Sequence, residues 1–161
     1  MSYWRKAAET DEPQKMSHYY DTGLLLKLYT EEPNSEAVRK FCVESAEPIP
    51  FLALHYSECT SALHLKAFRG ECSVAQANRA LSDLAEDLRA GVLHSIHPDW
   101  QAIWKRSAHL AQSYAAITGC RTLDSLHVAC AIELGYVRFV SSDIRQSKLA
   151  EQLGLEVLCP S

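Results

Sequence analysis

Short apolar runs alternate with longer stretches of helical periodicity from residue 17 to the C-terminus. The short runs predict strands at residues 18–21, 49–52, 92–96, 138–141 and 155–158. The stretches between them predict helices at residues 24–30, 35–45, 54–68, 73–88, 100–118, 122–134 and 144–153. Strands that alternate with helices are typical of an α/β domain with a parallel sheet.

Residues 1–16 do not share this pattern. They are mostly polar, and residues 10–15 have no apolar periodicity. Such a segment buries too little apolar surface to offset the entropy lost on ordering. We therefore predict a disordered tail at residues 1–16 and a single domain at residues 17–161.

The composition narrows the class of protein. The chain of 161 residues is 47% hydrophobic and 22% charged, as expected of one globular domain. No apolar stretch approaches the ~20 residues of a membrane span, and the charged N-terminus lacks the apolar core of a signal peptide, so we expect a cytoplasmic protein. The six cysteines form no C-x-x-C pair, which predicts reduced thiols rather than a zinc ribbon or a disulfide scaffold.

Two acids follow short predicted strands and precede helices, namely Asp21 and Asp143. In open parallel sheets, ligands bind beyond the carboxyl ends of the strands, so both acids would face that edge. Each could instead cap the helix that follows it, which is a common role of aspartate.

Two further acids lie inside predicted helices. Glu58 shares a face with Leu54, Ala62 and Leu65, and Asp124 lies in the first turn of a helix that is apolar nearly all round. An unpaired carboxylate in such a place is strongly destabilising, so each should be protonated, paired with a cation or bound to a metal. Four acids at one sheet edge would suit a hard cation such as Mg²⁺ or Mn²⁺.

Seven short motifs follow one another between residues 18 and 157. They are Tyr20-Asp-Thr-Gly-Leu-Leu-Leu-Lys-Leu-Tyr29, Glu31-Glu-Pro33, Tyr56-Ser-Glu58, Arg69-Gly-Glu71, Leu123-Asp-Ser-Leu-His-Val-Ala129, Ser141-Ser-Asp143 and Leu149-Ala-Glu-Gln-Leu-Gly-Leu-Glu-Val157. In their order and spacing they resemble the PIN-domain family, and within it the VapC-type toxins of bacterial toxin–antitoxin pairs. One departure is Gly23, where relatives commonly carry serine.

The resemblance implies a three-layer α/β/α sandwich around a central, mainly parallel sheet of four to five strands. It also implies an endoribonuclease whose Mg²⁺ or Mn²⁺ ions are held by Asp21, Glu58, Asp124 and Asp143, with Asp21 and Asp124 as the central ligands. Thr22 and Ser141 match hydroxyl positions that hold a metal-bound water or a neighbouring carboxylate. The implied partners are an RNA substrate, a cognate antitoxin protein and a second copy of the chain.

Such an enzyme would use a metal-activated water to cleave the phosphodiester. Basic side chains would contact the RNA phosphates, and the candidates are Lys27, Arg69, Arg121 and Arg145. The formal charge of −4, from 16 Lys and Arg against 20 Asp and Glu, is unusual for a nucleic-acid binder. Without the four proposed ligands the two signs balance, so the acidity weakens the ribonuclease hypothesis without excluding it.

Three alternatives stand beside this hypothesis. Gly23 and the acidic charge are compatible with a PIN-like scaffold that binds RNA or a protein without catalysis. His55-x-x-Glu58 and Asp124-x-x-His127 each place two possible metal ligands on one helix face, but the closed His/Cys set of a zinc site is missing, and the resemblance implies a structural His127. A small-molecule α/β binder is disfavoured because no glycine-rich phosphate loop is present.

Overall fold

The computed structural model describes residues 17–161, and the tail predicted at residues 1–16 lies outside the described residues. The strands are β1 (His18–Tyr20), β2 (Ile49–Phe51), β3 (Leu93–Ser95), β4 (Arg138–Val140) and β5 (Glu156–Leu158). The helices are α1 (Thr22–Leu26), α2 (Ser35–Ser45), α3 (Ala53–Phe68), α4 (Val74–Arg89), α5 (Trp100–Thr118), α6 (Thr122–Glu133) and α7 (Ile144–Gln152). Every predicted strand and helix is therefore present.

The helix ends follow from local chemistry. Ser73 caps α4, because its Oγ accepts the N–H of Gln76 while the Gln76 side chain accepts the N–H of Ser73. The prediction for α1 was wrong at its end, since this helix stops at Leu26 rather than at residue 30. Beyond that point the chain tightens into i→i−3 hydrogen bonds, such as Tyr29 N–H to the Leu26 carbonyl (2.9 Å), which do not continue an α-helix.

All strand pairs are parallel. β1, β4 and β5 form one hydrogen-bonded group with β4 in the middle, and β2 pairs with β3. β1 lies beside β2, so the two groups are neighbours, although no strand ladder joins them. The five short strands and seven helices found between residues 17 and 161 confirm the predicted α/β fold class.

A buried histidine joins the two groups of strands. The N–H of Leu52, at the end of β2, donates to His55 Nδ1 (3.0 Å), and His55 Nε2 lies 3.0 Å from the carbonyl oxygen of Tyr20 in β1. Because Nδ1 accepts, Nε2 carries the hydrogen and donates, and the ring is neutral. Burial lowers the pKa of His55 well below its usual value and keeps it in this form.

The core has one part on each side of the strands, as a three-layer sandwich requires. Neighbouring strand residues point to opposite faces, so Tyr20 packs in one cluster and Tyr19 in the other. The Tyr20 cluster is completed mainly by α1 to α4, and the Tyr19 cluster mainly by α5, α6 and α7. Helix α6 is buried without a break from Asp124 to Ala131, which confirms the prediction of a buried helix.

The thiols behave as the sequence predicted. All six cysteines are free, and Cys59 and Cys130 are fully buried in the core. Burial raises the pKa of Cys59 to about 12 and that of Cys130 to about 11, so both stay protonated at neutral pH. Within residues 17–161, none of the helices combines the length and the apolar character that crossing a membrane would demand.

Candidate active site

Parallel pairing of β1 and β4 places two of the predicted acids at one edge. Tyr20 lies opposite Val140 in the register, so Asp21 and Ser141 leave their strands side by side. Ser141 then connects the two acidic segments: its hydroxyl donates to Asp21 Oδ2 (2.7 Å) and accepts the N–H of Asp143 (3.0 Å).

Both of these acids are also helix caps. Asp21 Oδ1 accepts the N–H of Leu24 (2.7 Å), and Asp143 Oδ1 accepts the N–H groups of Arg145 (2.8 Å) and Gln146 (3.2 Å). The capping alternative raised by the sequence therefore holds for both residues. It does not compete with a role in a site, because in each acid Oδ2 takes no part in the cap.

Asp21 is the most deeply buried of the four acids. Its residue is 4% exposed, and burial raises the pKa of this carboxyl group although hydrogen bonds from Ser141 and Leu24 oppose the shift. Within residues 17–161, no Lys or Arg side chain forms an ion pair with it. A buried carboxylate in this condition is destabilising until a cation compensates its charge.

Asp124 lies in the first turn of α6 and is 8% exposed. Its Oδ2 accepts the N–H of Arg121 (2.9 Å), and its Oδ1 accepts a hydrogen bond from the side-chain amide of Gln146 (3.3 Å). Gln146 was not among the predicted site residues. It follows Asp143 by three positions, and only the packing of α7 against α6 brings it to Asp124.

Glu58 is positioned differently from the prediction. The proposed apolar stripe on α3 is wrong, because Leu65 is 43% exposed and the buried residues of this helix are Leu54, His55, Cys59 and Leu63. Glu58 lies at the border of that face, and its side chain is 23% exposed. Because Glu58 lies at this border, it contacts a polar residue on α6. The periodicity of α3 alone does not reveal that contact.

The neighbour is His127, whose Nε2 lies 2.5 Å from Glu58 Oε2. Thr22 donates to the same oxygen through its hydroxyl (2.6 Å). Burial raises the pKa of Glu58, but the contacts with His127 and Thr22 outweigh it, and the pKa is lowered overall. Tyr19 completes the group, with its hydroxyl 2.9 Å from His127 Nδ1.

These contacts argue against the zinc alternative. Both ring nitrogens of His55 are used by backbone groups, and both of His127 by Glu58 and Tyr19, so neither histidine is free to bind a metal. In the described part of the chain, no group of three or more His, Cys, Asp or Glu side chains is arranged so that it could hold a metal ion. The carboxylate oxygens of Asp21 and Asp124 are the ligand type that Mg²⁺ and Mn²⁺ prefer over the His and Cys ligands typical of zinc.

The four basic candidates fall in different places. Arg145 lies in the site, with Nη2 2.9 Å from Asp143 Oδ2 and 3.8 Å from Asp124 Oδ2, and its hydrogen bonds lower the pKa of Asp143. Arg121 is exposed and directly precedes α6. Lys27 follows α1. Arg69 follows α3 and lies roughly 16 Å along its axis from Glu58, so the fold does not bring it to the acids.

Comparisons with known proteins agree with this architecture. The family model described as PIN domain matches residues 19–152, a span that contains all four acids. The chain belongs to the PIN-domain family. It is 32% identical over 146 residues to Ribonuclease VapC46 of Mycobacterium tuberculosis, an alignment that covers 89% of this chain and 97% of that protein. The resemblance to VapC-type proteins found in the sequence is therefore confirmed.

A solved structure supports the fold independently. The crystal structure of FitAcB from Neisseria gonorrhoeae superimposes with a TM-score of 0.58 at 19% identity, and the match covers 89% of this chain and 97% of that one. At this level of identity the likeness concerns the arrangement of helices and strands. It agrees with the three-layer α/β/α sandwich of this PIN domain.

Proposed function

We propose that this PIN-domain protein is a Mg²⁺- or Mn²⁺-dependent endoribonuclease and the toxin of a type II toxin–antitoxin pair. The observation that carries the proposal is Asp21, a buried carboxylate without a Lys or Arg partner among residues 17–161, which lies at the carboxyl edge of β1 and β4 and is linked through Ser141 to Asp143. A buried charge of this kind is expected where the protein binds a cation.

Each residue of the proposed site would have its own role. Asp21 and Asp124 would hold the cation, and Glu58 and Asp143 would complete the acidic pocket. When bound, the divalent cation activates water as a nucleophile and stabilises charge on the phosphate. Arg145 and Arg121, at the rim of the acids, would contact the RNA backbone.

Several contacts would prepare the acids for this task. Ser141 fixes Oδ2 of Asp21, Thr22 fixes Oε2 of Glu58, and Gln146 holds Oδ1 of Asp124. Carboxylates that ligate metals are commonly oriented by hydrogen bonds of this kind. The name of the VapC46 relative, a ribonuclease, supports RNA as the substrate.

The antitoxin and the homodimer come from the family resemblance. The Arg145–Asp143 pair suggests how an antitoxin could act, because it brings a guanidinium group to one of the acids within the chain itself. An arginine from an antitoxin would bind these carboxylates in the same way and displace the metal. A cytoplasmic location likewise stays a prediction.

The test is RNA cleavage by the purified chain with Mg²⁺, Mn²⁺ or EDTA, together with the Asp124→Asn variant. We expect cleavage that requires metal and falls at least about 100-fold in the variant, since several kcal/mol of charge stabilisation are lost. Asp99→Asn is the matched control, because Asp99 is an exposed cap at the start of α5, roughly 30 Å along that helix from Gly119 at its end, which precedes α6. Cleavage that persists in EDTA and in Asp124→Asn would contradict the proposal.

One observation favours the second candidate, a scaffold that binds RNA or a protein without catalysis. Three of the four acids already have partners within the chain: Glu58 pairs with His127, and both Asp124 and Asp143 pair with Arg145. RNA binding that is insensitive to Mg²⁺, with no products from any RNA tried, would support the scaffold.

A further inference from the structure

A buried chain of hydrogen bonds leads from the core to Glu58. It starts at the hydroxyl of Tyr19 in β1, passes through the imidazole of His127 in α6 and ends at Glu58 Oε2 in α3. Tyr19 is 0% and His127 1% exposed, so water does not compete for these bonds. The chain connects three separate elements at one carboxylate oxygen.

We propose that His127 is a positioning residue which, with Tyr19, fixes the Glu58 carboxylate so that Oε1 is the oxygen presented to the cation. The inference rests on the proposed metal-dependent function and assigns a task to a histidine that sequence reasoning treated as structural. Two donors, His127 and Thr22, meet on Oε2. Oε1 is therefore left free for the acidic pocket.

Tyr19 determines which ring nitrogen of His127 carries the hydrogen. A phenol that donates to Nδ1 leaves the hydrogen of the neutral ring on Nε2, where it can be donated to Glu58. The opposite tautomer would place two acceptors, Nε2 and Oε2, against each other. Tyr19 thus acts on Glu58 although the two residues do not touch.

The ring of His127 is also held in place by packing. It stacks on His55, with ring centroids 5.3 Å apart and planes inclined by 18°. His55 is itself fixed by the backbone groups of Leu52 and Tyr20. Because His55 is held in this way, His127 presents Nε2 to Glu58 in one orientation. The hydrogen bond to Nε2 then removes much of the rotational freedom of the Glu58 side chain, which is long and partly exposed.

The first experiment measures Mn²⁺ affinity by calorimetry for the unmodified chain and four variants. We expect His127→Leu to weaken Mn²⁺ binding roughly 10- to 100-fold, the usual effect of losing a partner of a metal ligand. His127→Gln keeps a donor near the position of Nε2 and should recover part of the loss. Tyr19→Phe should weaken binding by less, and Tyr136→Phe, a buried phenol packed on Tyr19, is the matched control without effect.

A metal-free measurement separates this inference from the proposed function. Long-range ¹H–¹⁵N NMR of the metal-free chain should show His127 as the Nε2–H tautomer, with a proton signal that moves in Glu58→Gln and in Tyr19→Phe. If the unmodified chain binds no Mn²⁺ while the Nε2–H signal is present, the proposed metal-dependent function fails, and the positioning of Glu58 by His127 and Tyr19 still holds.

Two results would overturn the inference. One is a His127 ring protonated on Nδ1 only, and the other is wild-type Mn²⁺ affinity in a folded His127→Leu variant. If His127→Leu does not fold, wild-type affinity in both His127→Gln and Tyr19→Phe has the same meaning. A uniform loss of affinity that includes Tyr136→Phe would also overturn it, because it would indicate general damage to the core.

Discussion

Glu58 and Asp143 are two acids of the proposed site, and the protein pairs them in opposite ways. Glu58 is held by buried donors, His127 and Thr22, that belong to the folded core. Asp143 is held by two backbone N–H groups and by Arg145, whose side chain is 38% exposed. The Glu58 side, here called the inner side, is therefore fixed by the fold, whereas the Asp143 side, the outer side, depends partly on a partly exposed cation that a substrate or partner can displace.

The difference teaches what each kind of partner does. A hydrogen bond from a ring held in the core orients a carboxylate and keeps it there. A guanidinium at the surface neutralises a carboxylate, but solvent and salt weaken the pair, so it is easily exchanged. We expect variants on the inner side to change the geometry of the metal site and variants on the outer side to change its charge.

The largest effect is expected for Asp21→Asn, which removes the negative charge of the buried Asp21 carboxylate. RNA cleavage should fall at least about 100-fold with the lost charge stabilisation. The metal-free fold should become more stable, because asparagine still caps α1 and no buried charge remains. Cleavage rates and thermal unfolding without metal check both parts, and a less stable variant would contradict the second.

The same residue predicts a pH dependence for the metal-free chain. The folded state holds the proton of Asp21 to a higher pH than the unfolded state, because burial raises its pKa. Its contribution to the free energy of unfolding therefore decreases as pH rises above the unfolded value of about 3.9. Chemical unfolding at several pH values should show this decrease in the wild type relative to Asp21→Asn, and saturating Mn²⁺ should reduce the difference.

A medium effect, with opposite signs in two assays, is expected for Arg145→Met. RNA binding should weaken and the slope of log affinity against log salt should drop by about 1, as for the loss of one phosphate contact. Mn²⁺ affinity should rise only a few-fold, since an exposed ion pair contributes little. Arg121→Met is the control for charge: an equal rise of Mn²⁺ affinity there would show that Arg145 has no special position.

The smallest effect is expected for Gly23→Ser and its control Gly23→Ala. An added Cβ would lie 3.7 Å from Asp21 Oδ2, an ordinary contact, and Gly23 does not need a left-handed backbone. Both variants should raise the free energy of unfolding by about 0.5–1 kcal/mol, as expected for a glycine replaced in a helix. Cleavage should stay within about 2-fold of wild type; a larger change in Ser than in Ala would show that a hydroxyl next to Asp21 matters.

The sequence predicted the features that depend on neighbours along the chain. The alternation of strands and helices, the caps at Asp21 and Asp143, and the buried character of α6 all follow from local spacing. Local spacing also misled, because it paired His55 with Glu58 and Asp124 with His127, whereas the observed pair is Glu58 with His127, 69 residues apart. Such a contact depends on how α3 and α6 are placed, which periodicity within one helix does not contain.

The neutral His55 between β1 and β2 has a consequence for the order of folding. β2, α3, α4 and β3 form one continuous stretch of chain, whereas β1 must find β4 about 120 residues away, so the continuous unit should form first. The Nε2–H of His55 in this unit then donates a hydrogen bond to the carbonyl oxygen of Tyr20 in β1. In the His55→Leu variant, which lacks that ring, we expect the two groups of strands to open separately. The amides of β2 and β3 should then exchange hydrogen at a different rate from the amides of β1, β4 and β5.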